Sequence, residues 1–178
     1  LTNHPKDMSQ KLIEAIARLD KVCEQVNLPV QAGNDEILKA MKRGYTVDRY
    51  RALVKQIREK IPEIAISTDV IVGFPGETQD DHAATLAFIR RLPFTYLHVF
   101  SDSERPGTAA ADLSQKVSQD TIQRRARELR ALGEEKSAAF RRLQIGRTLR
   151  VLTLHRAEHA PPGTPPSLSG NFLPVRLN

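Results

Sequence analysis

The amino-acid sequence predicts an α/β fold, with a parallel sheet covered by helices, and three observations support this. Apolar, β-branched segments alternate along the first 100 residues with segments whose apolar side chains recur every three or four positions. The longest apolar run, residues 64–74, is nearly continuous, which is typical of a strand buried on both faces. Short segments of polar and turn-forming residues follow the predicted strands. Parallel strands joined by right-handed helical crossovers account for all three observations.

Capping residues, periodicity and helix breakers define the individual elements. Ser9 or Asp7 caps the first helix, and Pro62 ends the third. We predict helices at 9–19, 35–44, 46–62, 78–93 and 118–143, and strands at 22–30, 64–74, 96–100, 148–154 and 171–177. Residues 157–170 contain four prolines and two glycines and are predicted to form a loop. Gly133 lies within the longest helix and is a candidate position for a bend.

The net charge is concentrated in the last third of the chain. Residues 1–117 contain 16 basic and 16 acidic residues, whereas residues 118–178 contain 11 basic and 5 acidic residues. The whole net charge of +6 therefore belongs to the second segment. A basic segment attached to a neutral body favours a polyanion such as nucleic acid as partner. A solvated basic helix face is the alternative interpretation.

Composition also limits the cellular setting. No apolar run approaches the ~18 residues that a bilayer-spanning helix needs, so we expect no membrane partner. Cys23 is the only cysteine, which excludes an internal disulfide and fits a reducing compartment such as the cytoplasm. Because Cys23 falls in a predicted strand, we expect it to be a small buried core residue rather than a ligand.

Three glycine-containing polar segments, at residues 29–35, 73–78 and 100–108, each follow a predicted strand. Ligands in parallel α/β folds bind at the carboxyl ends of the strands, so these segments are expected to converge on one site. A plain turn followed by a helix start is the alternative for residues 73–78.

Five of the chain's segments, taken in order and spacing, resemble the radical S-adenosylmethionine (SAM) methylthiotransferases that modify tRNA. They read HPKDMS, LPVQAGND, LKAMKRGYT, ISTDVIVGFPGET and SERPGT. The resemblance implies that residues 1–117 are the C-terminal half of a partial (β/α)6 radical SAM barrel. The long basic helix at 118–145 would close the barrel domain, and residues 146–178 would form a small all-β module like the RNA-binding TRAM domain.

The same resemblance implies S-adenosylmethionine and two [4Fe-4S] clusters as cofactors. Cysteine thiolates must hold such clusters, and Cys23 alone cannot, so the cluster ligands are absent from this chain. We therefore predict no catalytic or metal-binding residue here and expect the N-terminal half of the same enzyme to be missing. A natural relative without clusters is the alternative.

The resemblance also carries over to particular positions. In similar enzymes, polar groups after the fourth barrel strand and backbone around a glycine of the fifth contact the cofactor. The corresponding positions in this sequence are Gln31, Asp69, Val72 and Gly73. The usual G-x-I-x-G-x-x-E pattern is only loosely met, because Asp69 replaces its first glycine and Glu77 comes one place late. The predicted substrate and RNA contacts are Arg105, Arg141, Arg142, Arg147 and Arg150.

The implied activity of the full-length enzyme is addition of a methylthio group to the N6-modified adenosine at tRNA position 37. The C-terminal half resembles the threonylcarbamoyladenosine branch of the family, whereas the HPKDMS opening resembles the isopentenyladenosine branch. We favour threonylcarbamoyladenosine as the substrate, because more of the chain supports it. The isopentenyladenosine enzyme, a ribosomal-protein methylthiotransferase and a non-catalytic RNA-binding module are the alternatives.

Overall fold

The computed structural model describes residues 3–103, 107, 113, 115–154 and 166–176. In chain order the elements are α1 (Gln10–Arg18), β1 (Gln25–Asn27), α2 (Asp35–Ala40), α3 (Val47–Lys60), β2 (Ala65–Val72), α4 (Gln79–Arg91), β3 (Tyr96–Ser101), α5 (Gln119–Arg142), β4 (Val151–Thr153), β5 (Pro166–Ser169) and β6 (Pro174–Arg176). The predicted α/β class is confirmed: a parallel sheet with helical crossovers is followed by a separate small antiparallel sheet.

The first three strands form a parallel sheet in the order β1-β2-β3. Asn27 pairs with Ser67 and Ser67 with Tyr96, so the three strands are aligned near their amino ends. The pairing of β2 with β3 continues to Val72 and Ser101. β2 and β3 therefore end at the same edge of the sheet, whereas β1 ends level with Ser67 and the chain after it continues along β2 to an isolated bridge between Gln31 and Val70.

One face of this sheet is packed against helices. Its buried side chains and their helical neighbours include Val26, Ile66, Val70, Leu97, Ile89 and Leu129. Thr68 is the polar member of this face and is fully buried; its hydroxyl donates to Leu28 O at 2.7 Å and accepts from Val30 N at 3.0 Å. The Tyr50 hydroxyl donates to the same carbonyl, and burial raises the pKa of this phenol far above its usual range. These bonds fix the course of the chain as it leaves β1.

The first strand and Cys23 differ from the prediction. β1 has three residues rather than nine: the chain turns before Gln25, and after Asn27 the Val30 amide donates to the buried Thr68 hydroxyl instead of to a backbone carbonyl. Cys23 lies in the turn before β1 and is exposed, so its predicted burial is wrong. Apolar neighbours in sequence suggested a core position, but the strand starts only at Gln25.

Helix α5 is continuous through Gly133, so that residue does not interrupt it. A Cβ at Gly133 would lie 3.3 Å from the Cβ of Leu97, which shows that the glycine allows α5 to pack closely on β3. Ser118 caps the helix through its hydroxyl, which accepts from the amide of Thr121. This close packing holds α5 against β3 and covers that part of the sheet.

The C-terminal segment forms a three-stranded antiparallel sheet in the order β4-β5-β6. Its central strand, β5, falls within the predicted loop at 157–170, and that part of the prediction is wrong. Pro166 occupies the first strand position, where its missing N–H is tolerated, and its carbonyl still accepts from Leu154 N at 2.8 Å. The high proline content of residues 157–170 therefore led to the prediction of a loop where the structure has a strand.

Candidate functional site

The second face of the parallel sheet, opposite the helix-packed core, carries polar and aromatic side chains. We call it the open face, and it is defined by Gln25, Asn27, Ser67, Asp69, Ile71, Tyr96, His98 and Phe100. Register places them together, because Asp69 pairs with His98 and Ile71 with Phe100. Tyr96, His98 and Phe100 are exposed, and Asn27, Asp69 and Ile71 are partly exposed. The face thus remains accessible within the part of the chain that the structure describes.

A chain of hydrogen bonds orders the polar half of the open face. Gln25 Nε2 donates to Ser67 Oγ at 3.2 Å, and Ser67 Oγ donates to Asn27 Oδ1 at 2.9 Å. Asn27 Nδ2 then donates to Asp69 Oδ1 at 3.1 Å. The carboxylate of Asp69 is therefore held in one orientation, and it remains available as an acceptor for a polar ligand.

The structure places the four predicted cofactor residues at the carboxyl end of β2, but not on one face. Gln31 is buried with a φ of 71°, and its backbone bonds to Asp69 O and Ile71 N. Asp69 lies on the open face. The Val72 side chain is fully buried in the helix-packed core, so only the backbone of Val72 could reach a ligand there. The assignment of all four residues to the cofactor stays a prediction.

Gly73 ends β2 in a left-handed backbone conformation with a φ of 79°. A Cβ at this position would lie 2.3 Å from Cγ1 of Ile122 on α5. The Gly73 amide donates to Glu77 Oε2 at 2.7 Å. Helix packing and backbone conformation therefore both require a glycine here, independently of any ligand.

A buried ion pair holds the turn after Gly73 against α5. Arg125 Nη1 lies 2.6 Å from Glu77 Oε2 and also donates to Glu77 O at 3.0 Å. The two side chains are only 4% and 2% exposed. Glu77 thus binds Arg125 and the Gly73 amide at once. Sequence reasoning missed this role of Arg125, although its spacing from the apolar Ile122 and Leu129 placed it on the packed side of the helix.

The predicted RNA-contacting arginines are mostly exposed. Arg141, Arg142 and Arg150 are exposed near the junction of α5 with the small sheet. Arg147 is also exposed and forms an ion pair with Glu63 of the sheet domain. Arg105 lies outside the described residues. The exposed arginines are positioned to meet a polyanion, and their RNA contacts stay a prediction.

A parallel sheet with helices on one face and an open polar face, with loops at the strand carboxyl ends, defines a segment of an α/β barrel-type enzyme domain. The sequence pattern of the radical SAM superfamily matches residues 1–89. This chain belongs to the radical SAM superfamily. In structure it is similar to coproporphyrinogen III oxidase from Escherichia coli, a radical SAM enzyme, with a TM-score of 0.62. The two are 20% identical, and the match covers 76% of this chain and 31% of the oxidase, which supports the fold alone.

Two curated relatives carry the same name, tRNA-2-methylthio-N(6)-dimethylallyladenosine synthase. The protein from Syntrophotalea carbinolica is 45% identical over 152 residues, which cover 85% of this chain and 35% of the relative. The protein from Streptomyces avermitilis is 40% identical over 174 residues, which cover 98% and 34%. This chain spans about a third of the length of the curated relatives that it matches.

These names overturn the preference for the threonylcarbamoyladenosine branch. Both relatives are named for the dimethylallyl, or isopentenyl, substituent, which was the alternative interpretation. The HPKDMS opening carried the correct signal, and the resemblance of the C-terminal half was given too much weight. No comparison identifies residues 146–178 as a TRAM module, so that assignment stays a prediction.

An iron–sulfur cluster does not fit the residues of this chain. Cys23 is the single cysteine and is exposed in the turn before β1. Among the described residues, no group of three or more His, Cys, Asp or Glu side chains is arranged to hold a metal ion.

In the same part of the chain, none of the helices is long and apolar enough to cross a bilayer.

Proposed function

We propose that this chain forms the cofactor- and substrate-binding half of the barrel in a tRNA methylthiotransferase that acts on N6-dimethylallyladenosine at position 37. The observation that carries the proposal is the 45% identity to a dimethylallyladenosine synthase over 152 residues. The open face supports it, because a fixed carboxylate and exposed rings lie together at an accessible site. A cytoplasmic location and a further N-terminal part with the cluster cysteines belong to this proposal.

Within that proposal, S-adenosylmethionine lies against Gln31, Asp69 and the backbone of Val72 and Gly73. The ordered Asp69 carboxylate fits an amino or hydroxyl donor of the cofactor, because Asn27 holds it in place without neutralising it. The Glu77–Arg125 pair keeps the Gly73 turn rigid beside it. When bound and reduced by one electron from an iron–sulfur cluster, the cofactor would supply the radical that removes a hydrogen from the adenine. The residues of this chain bind and orient both molecules.

The basic section after residue 117 is proposed to bind the tRNA backbone. Phosphate contacts supply most of the sequence-independent affinity of such proteins, and arginine is well suited to them. Arg147 forms an ion pair with Glu63, so a phosphate that binds Arg147 would displace the Glu63 carboxylate from it. In this proposal the β4–β6 sheet acts as a TRAM-like module, and Arg105 contacts the substrate from the loop after β3.

The decisive experiment uses the full-length protein with reconstituted clusters. It is incubated with S-adenosylmethionine, a reductant and tRNA that carries N6-dimethylallyladenosine, N6-threonylcarbamoyladenosine or unmodified adenosine at position 37. Nucleoside mass spectrometry should show a methylthio group in place of one hydrogen on the dimethylallyl substrate only. Product on the threonylcarbamoyl substrate alone, or on none of the three, would contradict the proposal.

A further inference from the structure

Three aromatic rings form a row along β3 on the open face. Tyr96 and His98 have ring centroids 4.7 Å apart in an edge-to-face arrangement, and His98 and Phe100 are nearly parallel at 6.4 Å. Tyr96 and Phe100 are each 52% exposed. We call Tyr96, His98 and Phe100 the aromatic row. Contiguous exposed rings are unfavourable in water, so a row of them indicates a surface that something covers.

The neighbours of the aromatic row limit what can cover it. Asp69 is the register partner of His98, and Asn27 and Ser67 follow on the adjacent strands. Burying a carboxylate under purely apolar side chains is strongly unfavourable, so the row is not one half of a closed hydrophobic core. A ligand with a flat π face and a hydrogen-bonding edge matches rings and polar groups together. A nucleobase has both features.

We propose that His98 and Phe100 form the stacking surface for the N6-dimethylallyl adenine base, which rests on the proposed function. The base lies against the two near-parallel rings at the carboxyl end of β3, and the apolar N6 chain contacts the remaining aromatic surface. A threonylcarbamoyl group carries a carboxylate, which the Asp69 charge on the next strand repels. The same surface therefore selects the apolar substituent over the anionic one.

The test measures kcat/KM of the full-length enzyme for tRNA carrying N6-dimethylallyladenosine. Phe100→Ala and His98→Ala should each lower it by about 5-fold to about 150-fold, the range expected for loss of one stacking ring. Phe100→Tyr keeps the ring, so its kcat/KM should stay close to that of wild type. Phe100→Leu keeps an apolar side chain without a π face, so its kcat/KM should fall as it does in Phe100→Ala. S-adenosylmethionine binding and the melting temperature should stay unchanged in all four variants.

Phe172→Ala provides the matched control, because Phe172 is 51% exposed but lies in the turn between β5 and β6. It should leave the preference for dimethylallyladenosine over unmodified adenosine intact, whereas the Phe100 and His98 variants should reduce it. Equal activity of Phe100→Leu and wild type would overturn the stacking role. A marked fall in melting temperature on Phe100→Ala would also overturn it, because the ring would then be covered by protein. An inactive wild-type enzyme would instead refute the proposed function itself.

Discussion

Adding one methyl group at Gly73 tests whether helix packing sets the turn at the end of β2. The φ of 79° disfavours any L side chain by about 1–2 kcal/mol. The new Cβ would lie 2.3 Å from Cγ1 and 2.6 Å from Cδ1 of Ile122, which is buried, and such overpacking adds about 1–3 kcal/mol. Gly73→Ala should therefore lower the free energy of unfolding by about 2–5 kcal/mol.

Gly107 and Ile122 allow the two contributions to be separated. Gly107 has a φ of 81°, and a Cβ added there would meet no atom of the described residues within 4 Å, so Gly107→Ala should show only the backbone contribution. Ile122→Ala removes the contacted atoms, so Gly73→Ala in that background should also show only the backbone contribution. The coupling between Gly73 and Ile122 in this double-mutant cycle should be about 1–3 kcal/mol.

Urea unfolding followed by far-ultraviolet circular dichroism measures these differences. Equal losses for Gly73→Ala and Gly107→Ala would refute the reasoning, as would a double-mutant cycle without coupling. In either case α5 would not confine Gly73, and the glycine would be free to serve a ligand alone. A large loss that Ile122→Ala relieves would show that stability requires Gly73 whether or not the cofactor also touches its backbone.

Three further predictions concern charged groups. Glu77→Gln leaves buried Arg125 without a carboxylate and should lower unfolding free energy by about 3–5 kcal/mol, whereas Asp48→Asn, at an exposed pair with the same 2.6 Å separation, should lower it by less than about 1 kcal/mol. The hydrogen bond from His82 lowers the pKa of Glu128 below its ordinary value of 4.5. The Glu128 carboxylate therefore stabilises the fold fully at pH values above 4.5. The difference in melting temperature between wild type and Glu128→Gln should vanish as the pH falls through that lowered pKa, and a constant difference would contradict this. In filter-binding titrations against salt, replacing four arginines with Gln should flatten the slope of log tRNA affinity by about 3, and an unchanged slope would place the RNA elsewhere. Those arginines are Arg141, Arg142, Arg147 and Arg150.

Local patterns in the sequence were sufficient for the fold class and the order of the sheet-domain elements. Residues 64–74 were apolar enough to identify the central strand, and Thr46 and Thr78 marked helix starts that the structure confirms. The resemblance in segments such as GFPGET gave the superfamily, which the comparison confirms. These features can be predicted from sequence because helix caps, turns and apolar runs each depend on residues that are close together along the chain.

Only the tertiary structure decided how these elements form a candidate site. The Glu77–Arg125 contact joins residues 48 positions apart in sequence, and local sequence patterns do not predict such a pair. Alternation along β3 placed Leu97 and His98 on opposite faces, but only register with β2 showed that His98 pairs with Asp69 on the open face. Only the packing of Ile122 on α5 against Gly73 showed that helix packing requires this glycine, whether or not a ligand also contacts its backbone. Each of these features depends on which distant surfaces pack together, and packing is a property of the whole fold.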